Sequence, residues 1–154
     1  MGTRHHQTVI DKNGKLRIAQ YGQWDGYPKR QGLEILKYLR TGDLEKYQSN
    51  LDQLKKVTKQ QGEEIDKDKD WAEKYPYLSR DCGFKLHKMI EEGVVQFIGW
   101  CSKKEANKWC EGFYEINFKK RTFNSQYRQI NVTVSLDNLP TEEEYLKMTE
   151  SNED

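Results

Sequence analysis

The chain lacks any apolar run near the length of about 18 residues that a membrane-spanning helix needs. Its opening, Met1-Gly2-Thr3-Arg4-His5-His6, lacks the apolar stretch of a secretory leader. Gly2 does not belong to a myristoylation motif, because His6 stands where that motif requires Ser or Thr. Cysteine is scarce: Cys82, Cys101 and Cys110 are an odd number, and no two have C-x-x-C spacing. His5, His6 and His87 complete no zinc pattern with them. No internal repeat is present. These absences argue against a membrane-spanning chain, a disulfide scaffold, a zinc module and a solenoid. They predict reduced thiols, a cytoplasmic location, no metal and no cofactor.

Charge is plentiful but almost balanced. Of the residues 33% are charged and 34% hydrophobic, and the net charge is +1, so no dedicated nucleic-acid binder is expected. The distribution is uneven. Residues 1–40 hold eight Lys/Arg against three acids, a net of +5, which leaves −4 for the rest. A basic end can draw in an anionic ligand; solvated strand and helix faces account for most of the same charges.

The length of 154 residues fits one domain, assigned to 1–148 with a fraying acidic tail at 149–154. Residues 4–10 and 15–21 read as two strands of a hairpin that turns at Asn13-Gly14, a pair that tolerates positive φ. Apolar steps of three and four predict helices over 31–40 and 43–60, and 61–70 reads as an exposed connection. Ser79 reads as the N-cap of a helix reaching Glu92. Residues 94–101 are rich in β-formers and read as a strand, 103–108 as a helical turn. Further strands are expected over 110–118, 122–127 and 130–136. Thr141 reads as the cap of a helix from Glu142 to Met148. The fold class is therefore α+β: an N-terminal β-hairpin, a helical middle, and C-terminal antiparallel strands, in one mostly antiparallel sheet covered by helices.

The densest chemistry lies in Gln20-Tyr21-Gly22-Gln23-Trp24-Asp25-Gly26-Tyr27-Pro28, where aromatics alternate with amides and a carboxylate. Flat rings stack, amides and carboxylates read donor and acceptor patterns, and Gly22 and Gly26 permit close backbone approach. The hairpin brings Arg4 and His5 beside this segment. Arg80, at a predicted helix start, is placed at the same site. The candidate ligand-binding residues are Arg4, Gln20, Gln23, Trp24, Asp25, Tyr27 and Arg80, with no catalytic residue assigned. The same stretch also reads as a tight strand-to-helix turn, with Trp24 plugging the core and Asp25 bonding the Gly26 and Tyr27 amides. Arg4 then pairs with Asp25, and Arg80 with Asp81.

Thr3-Arg4-His5, the run from Ala19 to Pro28 with Gln31-Gly32, Leu78-Ser79-Arg80-Asp81, the 110–118 strand and Leu139-Pro140-Thr141-Glu142 together resemble a family of small phage and bacterial proteins. The resemblance spans most of the chain. It brings no mechanism with it; phage proteins of this size include ones that sequester or cleave nucleotide immune signals, and extending that to this chain is analogy. A lesser likeness, to N-terminal-nucleophile hydrolases, fails at Met1-Gly2-Thr3: removal of Met1 exposes a glycine without a nucleophile.

Three readings follow. The first is a binding protein for a small nucleotide-like or planar polar anionic ligand, acting as a phage anti-defence sequestration protein in the host cytoplasm. The second is a hydrolase of such a ligand, with His5 or Asp25 as general base. The third is a structural or protein-interaction module. The expected partner is a small molecule, with no specific nucleic acid and no membrane, and a homo-oligomer stays open.

Overall fold

A computed structural model describes residues 2–150. Met1 and the part of the expected tail at 151–154 lie outside these residues. Thr149, read as part of the fraying tail, is buried, and its hydroxyl donates to the Tyr145 carbonyl.

Strands β1 (His5–Ile10) and β2 (Leu16–Gly22) form the expected hairpin. Gly14 takes a φ of 85°, as an Asn-Gly turn demands. Asp11 holds the turn from inside. One carboxylate oxygen accepts the Asn13 and Lys15 amides and the other accepts Arg17 Nε at 2.8 Å. Asp11→Asn retains one oxygen for the amides and loses the charged bond. It is expected to cost about 1–2 kcal/mol in urea unfolding; an unchanged midpoint would show that the turn needs no anchor.

Strands β3 (Gly112–Asn117), β4 (Thr122–Tyr127) and β5 (Ile130–Ser135) complete a five-stranded sheet of order β2-β1-β3-β4-β5. Three of its pairings are antiparallel, and the central β1–β3 pair is parallel. The hairpin occupies one edge of β1, so the returning chain enters on the other edge and runs alongside it. Helices α1 (Leu33–Thr41), α2 (Leu44–Leu51), α5 (Lys85–Glu92) and α7 (Glu142–Met148) contribute to the core through Ile35, Leu36, Leu39, Leu51, Leu86, Ile90 and Tyr145, with Val9, Ile18, Ile116 and Phe123 from the sheet. Thr141 caps α7 in a reciprocal capping box with Glu144, as the sequence indicates.

Several expected elements differ. The long helix over 43–60 ends at Leu51. Lys55 and Val57 instead exchange main-chain hydrogen bonds with Ile98, which pulls the chain into an extended form. Thr58 and Gln61 then form a second capping box and start α3 (Lys59–Asp66), within the stretch expected to connect without structure. A short helix, α4 (Trp71–Lys74), follows, then a 3₁₀ turn at Pro76–Leu78.

Helix α5 begins at Lys85, not after Ser79. The Ser79 hydroxyl accepts the Asp81 amide, two residues on and not three as a helix cap does, and Gly83, at a φ of 55°, interrupts any helix before it. The 94–101 stretch is no strand. It makes two single bridges, Trp100 to Ala19 of β2 and Ile98 to Lys56 in the chain between α2 and α3, while Phe97 packs 5.4 Å from Tyr75. Ile98 is buried, Val95 and Phe97 pack partly against the core, and Val94 and Trp100 stay exposed, so the β-rich composition reflects partial burial and not a ladder. Helix α6 (Lys103–Ala106) follows and leads to β3.

Candidate functional site

The segment after β2 wraps back over the start of β1. Gly26 N–H bonds the Thr3 carbonyl, and Tyr114 Oη donates to the Gly26 carbonyl at 2.7 Å. Asp25 adopts the left-handed region at a φ of 56°, which Asp tolerates better than most residues. Among the described residues its carboxylate meets only its own loop: Tyr27 Oη at 3.3 Å and Arg30 Nε at 3.9 Å. Arg30, not Arg4, is the cation nearest to it. Trp24 does not plug the core. It is 44% exposed, and its Nε1 donates to Asp81 Oδ1 at 2.5 Å. Asp81 is thereby committed to Trp24 and not to Arg80.

His5 lies beneath this loop. It is 1% exposed, with neither ring nitrogen partnered. Its ring fills the space where a Cβ on Gly22 would project. Burial, together with the neighbouring His6 and partly offset by Asp25, pushes its pKa down to about 4. A substrate proton cannot reach it without displacement of the loop, which weighs against His5 as a general base.

Four of the seven expected residues gather around Tyr21. Gln20 and Arg80 line a cleft of about 190 Å³ along the outer edge of β2, with Tyr21, Tyr77, Trp100 and Cys101. Gln23 accepts the Tyr21 hydroxyl, and its main-chain N–H bonds the Arg80 carbonyl at 3.0 Å. Burial raises the Tyr21 phenol, partly offset by the positive charges of Arg4 and Arg80; Arg80 lines the cleft, and Arg4 directly precedes His5, which pairs with Gly22 beside Tyr21. The other three stand apart. Trp24 and Asp25 line neither this cleft nor a second one of about 310 Å³, which Tyr27 borders with Pro28, Tyr127, Ile130 and Leu146.

Sequence reasoning left Tyr21 off the site and missed Trp100 altogether. Trp100 is brought in by its bridge to Ala19, and Lys56 Nζ sits 3.6 Å from the centre of its ring. An exposed Trp beside a glycine, Gly99-Trp100, was the available signal, obscured by the apolar run before it.

The cleft rests on a buried polar chain. Tyr47 donates to His87 Nδ1 at 2.9 Å, and His87 Nε2 donates to Gln7 Oε1 at 2.8 Å. Gln7 Nε2 donates to Gln20 Oε1 and to the Gly83 carbonyl, and Gln20 Nε2 donates to the Tyr77 carbonyl. The two terminal carbonyls fix both amide orientations, and these fix His87 as a neutral Nε2–H tautomer. Burial pushes its pKa down to about 4. Gln20 is thus held with its polar groups engaged, and it serves as the rigid floor of the cleft.

The cysteines are free thiols, with Cys82 buried. Among the described residues no group of three His, Cys, Asp or Glu could hold a metal, and no helix is long and apolar enough to cross a membrane. No protein-family model matches the chain, and no curated protein or solved structure matches it either. An α+β fold alone carries no activity, so function must be argued from the cleft.

Proposed function

We propose that the protein binds a small, planar, anionic, nucleotide-like ligand in the cleft beside Tyr21. One observation carries this reading. Of the seven arginines, Arg17, Arg30, Arg40, Arg121 and Arg128 each have an acidic or carbonyl partner. Arg4 and Arg80 have none among the described residues; Arg80 lines the cleft, and Arg4 directly precedes His5, the β1 residue paired with Gly22 next to Tyr21. Two unneutralised guanidiniums beside a cleft with exposed aromatic surface suit a phosphate joined to a flat ring. The open cleft of about 190 Å³ fits a base and not a whole nucleotide, so the phosphate would lie outside it, toward Arg4 and Arg80.

The resemblance to phage proteins extends this proposal to sequestration of a nucleotide immune signal in the host cytoplasm. Incubation with a panel of nucleotides and cyclic dinucleotides, then heat release and chromatography, separates the readings. Depletion with intact ligand recovered supports sequestration. Altered ligand supports the hydrolase. No depletion of any compound refutes both and leaves an interaction module.

Arg80→Gln and Arg4→Gln are each expected to weaken binding roughly ten-fold by removing a charged contact. The melting temperature should stay nearly constant, because neither guanidinium has a partner to lose among the described residues. Equal affinity in both variants would remove the main support for this site.

A further inference from the structure

We infer that the main-chain N–H and C=O of Tyr21 are the reading edge of this cleft, and that they take a ligand group with a hydrogen-bond donor beside an acceptor in one plane, as on the Watson–Crick edge of a nucleobase. The inference rests on the nucleotide reading above and specifies which part of the ligand the cleft recognises.

The phase of β2 carries the argument. In an extended strand the N–H and C=O of one residue point to the same side, and the side alternates from residue to residue. The Ala19 carbonyl accepts Cys101 N–H at 2.8 Å, and Gln23 N–H donates to the Arg80 carbonyl at 3.0 Å. Both bonds run outward, away from β1. Residues 19, 21 and 23 therefore share one phase, and Gln20 and Gly22 take the other, facing Gln7 and His5 of β1. The far side of β1 agrees: the carbonyls of Arg4 and Ile10 point to the β3 side, where Gly112 and Phe118 bond them.

The outer edge of β2 is thus held at two levels, by Trp100-Cys101 at Ala19 and by Arg80 at Gln23. These levels are about 13 Å apart at the rise of an extended strand. Tyr21 lies midway, in the wall of the cleft. Among the described residues no main-chain or side-chain group bonds its N–H or C=O from that side. A ligand that dries the cleft must satisfy both groups or leave a donor and an acceptor unpaired, at a cost that rejects a plain anion or an apolar ring. A heterocycle edge satisfies both at once. Trp100 then borders the ring, and Arg80 stands beside it for the anionic group. Gln20, whose amide is engaged with Gln7 and the Tyr77 carbonyl, cannot serve as the reader.

Amide-resolved NMR on the intact protein tests this with the four ribonucleoside monophosphates, a matched analogue of each methylated on its Watson–Crick edge, and ribose 5-phosphate. In the free protein, Tyr21 N–H should exchange with solvent faster than Gln20 and Gly22 N–H; slow exchange at Tyr21 would show that the edge is already paired and overturn the inference. On titration, at least one nucleotide should shift the Tyr21 amide and slow its exchange. Its edge-methylated analogue and ribose 5-phosphate should bind at least about ten-fold more weakly. If a nucleotide and its methylated analogue bind alike with the Tyr21 amide unmoved, or if ribose 5-phosphate binds as well as the nucleotides, the edge is not the reader, although the cleft still binds anions. If no nucleotide perturbs any residue of the cleft, the nucleotide reading falls and this inference falls with it.

Discussion

Acidification from about pH 7 to about pH 4 is expected to destabilise the protein strongly, with His5 and His87 supplying most of the loss. Both imidazoles are buried, and each has its pKa pushed down from 6.5 to about 4. The unfolded chain takes up a proton at each histidine near its ordinary value, whereas the folded chain resists until about 4. Their contribution is therefore complete above the ordinary value and is lost as pH falls through this window. Each is worth roughly 3 kcal/mol at neutral pH, or together on the order of 6 kcal/mol against a typical total of about 5–15. Urea unfolding at pH 7, 6, 5 and 4 measures the slope. His5→Leu should remove about half of it with little cost at neutral pH, since the unpartnered ring nitrogens lose no hydrogen bond. A stability that is flat over this range, or a slope that survives His5→Leu unchanged, would contradict the assignment.

Gly112→Ala is expected to destabilise the protein by about 3 kcal/mol, near the upper end for an overpacked site. A Cβ at this position would sit 2.1 Å from the Gly26 carbonyl oxygen and 3.1 Å from the Tyr114 ring. The obstacle is main chain and cannot swing aside. The Gly26 carbonyl also accepts from Tyr114, and the Gly26 amide ties the loop to Thr3. Displacement of the loop would break both bonds and uncover His5. Thermal melting gives the magnitude, and a melting temperature within a degree or two of wild type would mean that the loop is not packed on β3 as described. The same close approach explains why the Trp24–Asp25–Gly26 stretch is so constrained: much of its composition serves docking of the loop onto β1 and β3.

Local patterns carried the parts of the fold that need few distant partners. Asn13-Gly14 marked the β1–β2 turn because few residue pairs tolerate its dihedral angles. Alternation placed β3 and β5, β4 was read as the strand returning after the Lys119-Lys120-Arg121 turn, and Thr141 with three glutamates located the start of α7. Thr58 and Gln61 carried an equally clear cap that was overlooked, because the apolar spacing from Leu44 to Val57 suggested one continuous helix. The failure at 94–101 is of a different kind. Richness in β-formers reports that some side chains are packed, but an irregular chain held by one bridge to β2 and one to the connection between α2 and α3 has that property as much as a strand does.

The candidate site divides along the same line. Sequence alone determined that aromatics, amides and glycines cluster after β2, that the hairpin carries Arg4 to them, and that the chain is α+β. Tertiary structure decided which of those groups share a cleft. It turned Trp24 toward Asp81 and Asp25 toward its own loop, and it brought Arg80 and Trp100 onto the β2 edge from about 60 and 80 residues away. Those placements depend on single main-chain hydrogen bonds between distant segments. Any residue can make such bonds, because every residue except proline carries the same N–H and C=O, so no side-chain pattern announces them.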